Sequence, residues 1–206
     1  MAARYPNHVW MADLTEIPGF LRIFSSVLAV VIDVHSRMPL AARLFPTQPS
    51  AADLVALLGS AVERHGRPRH FVSDQGAQFT AMAFRARLRS LGICQRFGKI
   101  GQFGSVAIIE RGWRTLKEML GVSHWSIIHP ADMQQRLDAA LTYYAYLKPH
   151  QGLAGAVPAE VYFGIRPAHL DARRPPREHS CGPPPAFDIA FLDPEHRLPF
   201  LVPKAA

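Results

Sequence analysis

Short runs of hydrophobic residues dominate the first half of the chain, and their length and periodicity are those of β-strands. Residues 9–17, 25–34 and 39–44 are rich in Val, Ile and Leu and predict three successive strands. The second run is almost entirely apolar, as expected of a central strand that is covered on both faces. Two shorter runs, residues 71–73 and 93–97, predict two further strands.

Longer stretches carry apolar residues at helical spacing and predict helices over residues 50–64, 80–91, 105–120 and 131–147. The first of these helices has Ser50 as its N-cap and Gly66 as its stop signal. Pro149 follows the end of the last. Three strands followed by alternating helices and strands predict an α/β fold, with a mixed five-stranded sheet flanked by helices.

Proline marks a change of composition near residue 167. Nine of the eighteen prolines lie in the last forty residues, so this segment cannot be a continuous helix. We expect residues 167–185 to be an extended linker and residues 187–202 to form a small β-hairpin that turns near Asp193. The predicted division is therefore a main domain over residues 1–166 and a smaller region over residues 167–206.

The composition narrows the class of protein further. A hydrophobic content of 49% excludes a largely disordered chain, and the longest apolar run is too short to cross a bilayer. Met1 and the residues after it lack the apolar stretch of a signal peptide, so we expect a cytosolic protein that does not bind a membrane. Cys94 and Cys181 lie far apart in dissimilar settings and are expected to be free thiols.

The net charge of +7 is concentrated in one part of the chain. Residues 61–117 contain eleven Lys and Arg against three acidic residues, a local excess of eight positive charges. Such a field attracts polyphosphates and steers them towards a site. The alternative for Arg85, Arg87 and Arg89 is the solvated side of a helix, and we favour it, because their spacing spreads them around the helix.

Three acidic residues stand in positions that suit a metal site. Asp13 interrupts the first predicted strand, Asp74 follows the fourth, and Glu110 lies in the third predicted helix. Carboxylates are hard oxygen ligands of the kind that bind Mg²⁺ or Mn²⁺ together with substrate phosphates.

Each candidate has a structural alternative. Asp74 precedes Gln75-Gly76 and is also placed to form an Asx-turn, and Glu110 with Arg114 is also a common surface pair on a helix. Asp33 is a rival for the first carboxylate, although we expect it to be structural and to pair with Arg37.

The order and spacing of these residues resemble those of a known family. Thirty-five residues separate Asp74 from Glu110, as in the catalytic cores of retroviral-type integrases and bacterial insertion-sequence transposases, the Asp-Asp-Glu recombinases. The stretches that carry the resemblance, in family order, are Trp10–Thr15, Val31–Arg37, His65–Pro68, Ser73–Phe79, Ile109–Lys117 and Lys148–Leu153.

The resemblance implies a ribonuclease H-like fold and a metal-dependent polynucleotidyl transferase that cleaves and joins DNA. It implies two Mg²⁺ or Mn²⁺ ions, with Asp13 bridging both and with Asp74 and Glu110 each completing one. The implied partners are DNA, as element ends and as target, further copies of the chain, and a separate helix-turn-helix protein. The expected DNA contacts are Lys99, Arg111, Arg114, Lys117, Lys148 and His150.

The chain departs from the family pattern at three positions. Val106 stands four residues before Glu110, where the family has Asn or Gln, while Ala145 and Lys148 replace the Asn and Arg of its Tyr-Asn-x-x-Arg-Pro-His stretch. A lysine keeps the charge of arginine but loses its bidentate geometry. The alternative function is therefore a catalytically decayed DNA-binding remnant or regulator of a mobile element. A plain nuclease with the same metal site fits the Lys148–Leu153 stretch less well.

Overall fold

A computed structural model describes residues 3–18, 25–98, 130–166, 187–191 and 199–203. The elements in chain order are β1 (Val9–Pro18), β2 (Ser25–Asp33), β3 (Pro39–Phe45), α1 (Ala51–His65), β4 (His70–Ser73), α2 (Ala77–Thr80), α3 (Met82–Ser90), β5 (Cys94–Phe97), α4 (Pro130–Tyr146), a 3₁₀ turn (Gln151–Leu153), α5 (Pro158–Tyr162), β6 (Phe187–Phe191) and β7 (Pro199–Pro203).

Five strands form one mixed sheet in the order β3-β2-β1-β4-β5. The first three strands pair antiparallel, whereas β4 runs parallel to both β1 and β5. The predicted mixed five-stranded sheet is confirmed. The second strand lies between β1 and β3, as predicted from residues 27–32, which are all apolar, because a strand covered on both faces buries successive side chains.

The two faces of this sheet bury separate apolar clusters. One face, which we call the α1 face, carries Trp10 and Phe71 and packs against α1, α2 and α3. The opposite face, which we call the α4 face, carries Val9, Met11 and Val72 and shares its cluster with Leu137 of α4. Alternation along a strand assigns each residue to one of these faces.

The helix predicted over residues 80–91 is divided in the structure, so its predicted start is wrong. Ala81 has an extended conformation with ψ 142°, and it separates α2 from α3. Phe79 and Phe84 lie on either side of the break, and both are buried, with ring centroids 5.4 Å apart. Residues five apart point about 140° away from each other on a continuous helix. The break at Ala81 lets both rings enter the same core.

The N-terminus of α1 follows the sequence closely. The Ser50 hydroxyl accepts a hydrogen bond from the Asp53 amide, and the Asp53 carboxylate accepts one in return from the Ser50 amide. This capping box satisfies two backbone donors that a helix start would otherwise leave without a partner. Those bonds to Ser50 hold the pKa of Asp53 below its ordinary value.

The chain divides into two compact units, Met1–His169 and Leu170–Ala206. In the second unit β6 and β7 pair antiparallel, with Phe187 opposite Pro203 and Phe191 opposite Pro199, which agrees with the predicted hairpin. Among the described helices, none combines the length and the apolar character needed to cross a membrane. The predicted helix over 105–120 and the linker over 167–185 lie outside the described residues.

Candidate functional site

Two of the three predicted carboxylates lie near the same end of two neighbouring parallel strands, Asp13 within β1 and Asp74 directly after β4. Met11 of β1 is the register partner of Val72 of β4. Continuing that register by two residues brings Asp13 alongside Asp74, and parallel neighbours are about 4.8 Å apart. Asp13 alternates with Ala12 and therefore belongs to the α4 face, as Met11 does. We call this part of the sheet the carboxylate end.

A tight turn fixes the carboxylate of Asp74 directly after β4. Its Oδ1 accepts a hydrogen bond of 3.0 Å from the Gly76 amide, which is the Asx-turn that the sequence also suggested. A Cβ at Gly76 would stand 3.0 Å from Asp74 Oδ1 and 3.1 Å from Gln78 Oε1, so a side chain there would crowd the carboxylate. The turn leaves Asp74 exposed. The Asx-turn therefore orients this carboxylate and does not bury it.

Asp13 is held in a different way, by the strand itself. It lies within β1, opposite Val30 of β2, and is half-buried. Its Oδ1 accepts a hydrogen bond of 2.9 Å from the Leu14 amide, and the side chain has a further interaction. A carboxylate on a strand between two paired neighbours has little freedom to move, which suits a ligand that must keep its position.

The donor set at the carboxylate end fits a hard divalent cation. Two carboxylates on adjacent strands supply oxygen ligands of the type that Mg²⁺ and Mn²⁺ bind. Within the described residues no group of three His, Cys, Asp or Glu side chains converges on one point. The predicted third carboxylate, Glu110, and the predicted DNA contacts Lys99, Arg111, Arg114 and Lys117 lie outside the described residues.

The rival carboxylate, Asp33, lies near the other end of β1, opposite Trp10. It is fully buried, and it accepts hydrogen bonds from the Asn7 amide at 2.8 Å and from both the amide and the hydroxyl of Ser36. These bonds support the structural role expected for Asp33. Its backbone carbonyl accepts a hydrogen bond of 2.7 Å from the Arg37 amide, while an ion pair between the two side chains stays a prediction.

Arg37 connects two distant stretches of the sequence. Its guanidinium donates a hydrogen bond of 3.2 Å to the carbonyl oxygen of Gly152 and lies against the Cα of that residue, where a Cβ would overlap it. Arg37 itself has a φ of 65°, in the left-handed region. The predicted Lys148–Leu153 stretch is thereby attached to the β2–β3 turn, at the same end of the sheet as Asp33.

Lys148 and His150 accordingly lie at the end of the sheet opposite the carboxylates. The His150 ring packs edge-on against Tyr144, with centroids 4.5 Å apart, and its buried Nε2 has no hydrogen-bond partner in the part of the chain that the structure describes. Burial and the nearby Arg37 lower the pKa of His150 to about 4. Burial raises the pKa of Tyr144 to about 12. That Lys148 and His150 contact DNA stays a prediction.

Asn7 also lies at this end of the sheet, and it was not predicted from the sequence. Its side-chain oxygen accepts hydrogen bonds from Trp10 Nε1 at 2.9 Å and from the Tyr162 hydroxyl at 3.0 Å, and its Nδ2 donates to the His65 carbonyl. Asn7 has a φ of 62°, which Asn tolerates better than most residues. An Asn directly after Pro6 was the available signal. We call the region of Asn7, Asp33, Arg37, His150 and Tyr162 the anchored end.

A direct comparison of sequences identifies the family to which this sheet belongs. Residues 3–102 match the family of the integrase core domain. These residues belong to an integrase core domain.

Relatives of this integrase core include both bacterial and viral proteins. Over 153 residues it is 29% identical to the transposase for insertion sequence element IS904 of Lactococcus lactis, covering 73% of this chain and 59% of that protein. The chain thus spans less than two thirds of the length of this curated relative.

Solved viral structures share the fold of the integrase core. The catalytic core domain of HTLV-2 integrase in complex with magnesium, in a trimeric form, aligns with a TM-score of 0.62 and 18% identity, over 77% of this chain and 97% of that one. A simian T-cell lymphotropic virus intasome, in complex with a PP2A regulatory subunit, aligns with a TM-score of 0.65 and 21% identity, over 85% and 59% respectively. These likenesses establish a ribonuclease H-like fold.

Proposed function

We propose that the chain is the catalytic core of a recombinase that cleaves DNA and joins the cleaved strand to a new position. The observation that carries this proposal is the parallel pairing of β1 with β4, because continuing it by two residues beyond Met11 and Val72 brings Asp13 alongside Asp74. Two carboxylates at equal height on one face can bind the same metal centre, whereas a carboxylate with only a structural role has no need of that partner. Asp33 instead has Trp10 as its partner on β1 and is fully buried.

We further propose that Asp13, Asp74 and Glu110 hold two Mg²⁺ or Mn²⁺ ions. The HTLV-2 integrase core in complex with magnesium supports this choice of metal. Bound divalent ions would neutralise the charge that develops on the attacked phosphate and on the departing oxygen. The protein contributes position: β1 fixes Asp13, and the turn closed by the Gly76 amide orients Asp74. Exposure of Asp74 leaves its oxygens accessible to a metal ion that would also bind a substrate phosphate.

DNA is the proposed substrate, both as element end and as target. The positive charge of residues 61–117 supports this choice, because released counterions drive the binding of phosphate backbones to basic surfaces. We propose that the chain acts on DNA as an oligomer. The simian virus intasome and the trimeric HTLV-2 integrase core support this. A separate helix-turn-helix protein is the proposed partner that recognises the element ends.

Removal of single carboxylates tests the proposal. Asp13→Asn, Asp74→Asn and Glu110→Gln should each lower Mn²⁺-dependent nicking and joining of an element-end duplex by at least about a hundredfold, with the fold retained, since each removes ligand charge and keeps side-chain volume. Asp138→Asn is the matched control, because Asp138 is an exposed acid on α4. Equal activity in Asp74→Asn and Asp138→Asn would refute the metal site.

The alternative of a decayed remnant is supported by a specific observation at Ala145. This residue is only 2% exposed and belongs to the apolar core, so the chain uses for packing a position at which the family has Asn. Val106→Asn tests the alternative, because it restores a polar group four residues before Glu110, where the family has one. Metal-dependent activity that rises in Val106→Asn favours a weakened enzyme. A protein that binds DNA but stays inactive with this change favours the remnant.

A further inference from the structure

An arginine on the edge strand of the sheet lies on the same face as the two carboxylates. Arg96 of β5 is the register partner of Val72 of β4, and Val72 is the partner of Met11 of β1. The three residues form one row across the sheet. Asp13 and Asp74 occupy the next position on that face, two residues further along their strands.

The neighbouring side chain establishes the direction of Arg96. Gln95 donates a hydrogen bond of 2.8 Å from Nε2 to the carbonyl oxygen of Phe79, which lies in the core of the α1 face. Successive residues of a strand point to opposite faces, so Arg96 points towards the α4 face. His70 and Cys94 form the adjacent row on the same face. The positive charge of Arg96 contributes to lowering the pKa of His70, after burial and the charges of His8 and Arg69.

Arg96 is exposed, and within the described residues no ion pair or hydrogen bond engages its guanidinium. From strand spacing, the Cα atom of Arg96 lies about 8 Å from the Cα atom of Asp74. A guanidinium carries a permanent positive charge and has no acceptor lone pair, so Arg96 is not a metal ligand. It can contact a phosphate group next to the one that the carboxylates engage, with two parallel hydrogen bonds.

We propose that Arg96 binds a backbone phosphate of the DNA strand that lies across Asp13 and Asp74. The ligand is a phosphodiester of any sequence, because a contact to phosphate carries no base information. This inference rests on the proposed function, since it assumes that DNA occupies the carboxylate end. It assigns to β5 the role of aligning the DNA strand beside Asp13 and Asp74.

Binding measurements compare Arg96 with an arginine on the other side of the sheet. Arg89 is exposed on α3, whose buried residues Phe84 and Leu88 pack on the α1 face. With a fluorescein-labelled 30-base-pair duplex, Arg96→Ala should weaken binding about five- to tenfold at low salt and should reduce the salt slope by about 1. Arg89→Ala should change the affinity less than twofold. Arg96→Lys should recover part of the loss.

Cys94 provides a second readout that does not depend on catalysis. Its thiol is exposed on the same face as Arg96, two residues away. In a Cys181→Ser background, saturating duplex should slow maleimide modification of Cys94 at least fivefold, and Arg96→Ala at equal duplex concentration should remove much of that protection. With Cys94→Ser added, a cysteine introduced by Arg89→Cys should remain reactive in the presence of DNA.

The outcomes separate this inference from the proposed function. If Asp74→Asn abolishes activity but Arg96→Ala behaves like Arg89→Ala, Arg96 has no role in DNA binding and the metal-dependent function stands. If DNA protects Cys94 but no metal-dependent cleavage occurs in any variant, the enzyme assignment fails and the phosphate contact stands. A chain whose Cys94 reacts equally fast with and without saturating duplex overturns the inference.

Discussion

The anchored end and the carboxylate end of the sheet use the same residue type in opposite ways. At the anchored end, Asp33 is completely buried and accepts three hydrogen bonds from protein donors. At the carboxylate end, Asp74 is exposed, and the hydrogen bond to its carboxylate within the described residues comes from a backbone amide two residues away. The comparison separates acids that fold the protein from acids that remain available to a ligand.

The two ends also differ in how far apart in sequence their contacts reach. Asn7 contacts His65 and Tyr162, and Arg37 contacts Gly152, so the anchored end joins segments separated by 58 to 155 residues. The hydrogen bonds that backbone amides donate to the two carboxylates come from nearby residues, from Leu14 to Asp13 and from Gly76 to Asp74. Long-range polar contacts fix the tertiary arrangement, and local contacts only orient a side chain. Substitutions at the two ends should therefore affect different properties.

The largest expected effect on stability is that of Asp33→Ala. It leaves the buried amide and hydroxyl of Ser36 and the part-buried amide of Asn7 without an acceptor, and each buried group left so costs about 1–3 kcal/mol. We expect a loss of about 3 kcal/mol or more in the free energy of unfolding, measured by urea titration. Asp74→Ala should lose less than about 1 kcal/mol, because its carboxylate is exposed. Equal losses in the two variants would remove the distinction between the ends.

An intermediate effect is expected for Gly152→Ala. The new Cβ would occupy the position of the Arg37 guanidinium and displace its hydrogen bond to the Gly152 carbonyl. A hydrogen bond from a charged donor contributes about 1.5–3 kcal/mol, so we expect a loss of about 2 kcal/mol in the free energy of unfolding.

Gly59→Ala is the matched control for that substitution. Gly59 lies within α1, and no atom stands within 4 Å of the position that a Cβ would take there. Alanine at this site should stabilise the protein by about 0.5–1 kcal/mol, because alanine restricts the unfolded chain and favours the helix. If both alanines proved neutral, the Arg37 contact would not anchor the Lys148–Leu153 stretch.

The sequence predicts most of the sheet because each strand has a simple pattern. The continuous apolar run of β2 and the capping residues of α1 are local signals, and their elements begin and end within about two residues of the predicted bounds. The division of the helix at Ala81 was missed, since it depends on where Phe79 and Phe84 meet the core. Local periodicity carries no information about that meeting point.

The candidate site was only partly predictable for a related reason. Asp13 and Asp74 could be selected from their settings and from the family resemblance, but their common height on the sheet depends on the pairing of β1 with β4. Arg96 was missed because the sequence of residues 93–97 shows that successive side chains alternate between the two faces but not which face Arg96 occupies. The pairing of β5 with β4 and the hydrogen bond of Gln95 establish that face. The contacts of Asn7 and Arg37 were missed because their partners lie more than fifty residues away.

The smallest expected effect concerns the pH dependence of stability at the anchored end. Burial, Arg37 and Lys148 lower the pKa of His150 to about 4 from its ordinary value of 6.5. Between these values the unfolded chain binds the proton and the folded chain does not, so stability rises with pH across this window. The contribution of His150 to the free energy of unfolding is complete above pH 6.5, decreases as the pH falls towards 4, and changes no further below that. The contribution is about 1 kcal/mol, since solvent screens a half-buried ring.

Two substitutions isolate this contribution in urea titrations across this pH window. His150→Asn cannot take up the proton, so it should flatten the dependence there while the amide can still donate to the Tyr144 backbone. Arg37→Met should lower stability at every pH and also shift the lower limit of the window upwards, because it removes a cation that opposes protonation of His150. A pH dependence in His150→Asn as steep as in the unaltered chain would show that another group titrates, and His150 would then have no part in it.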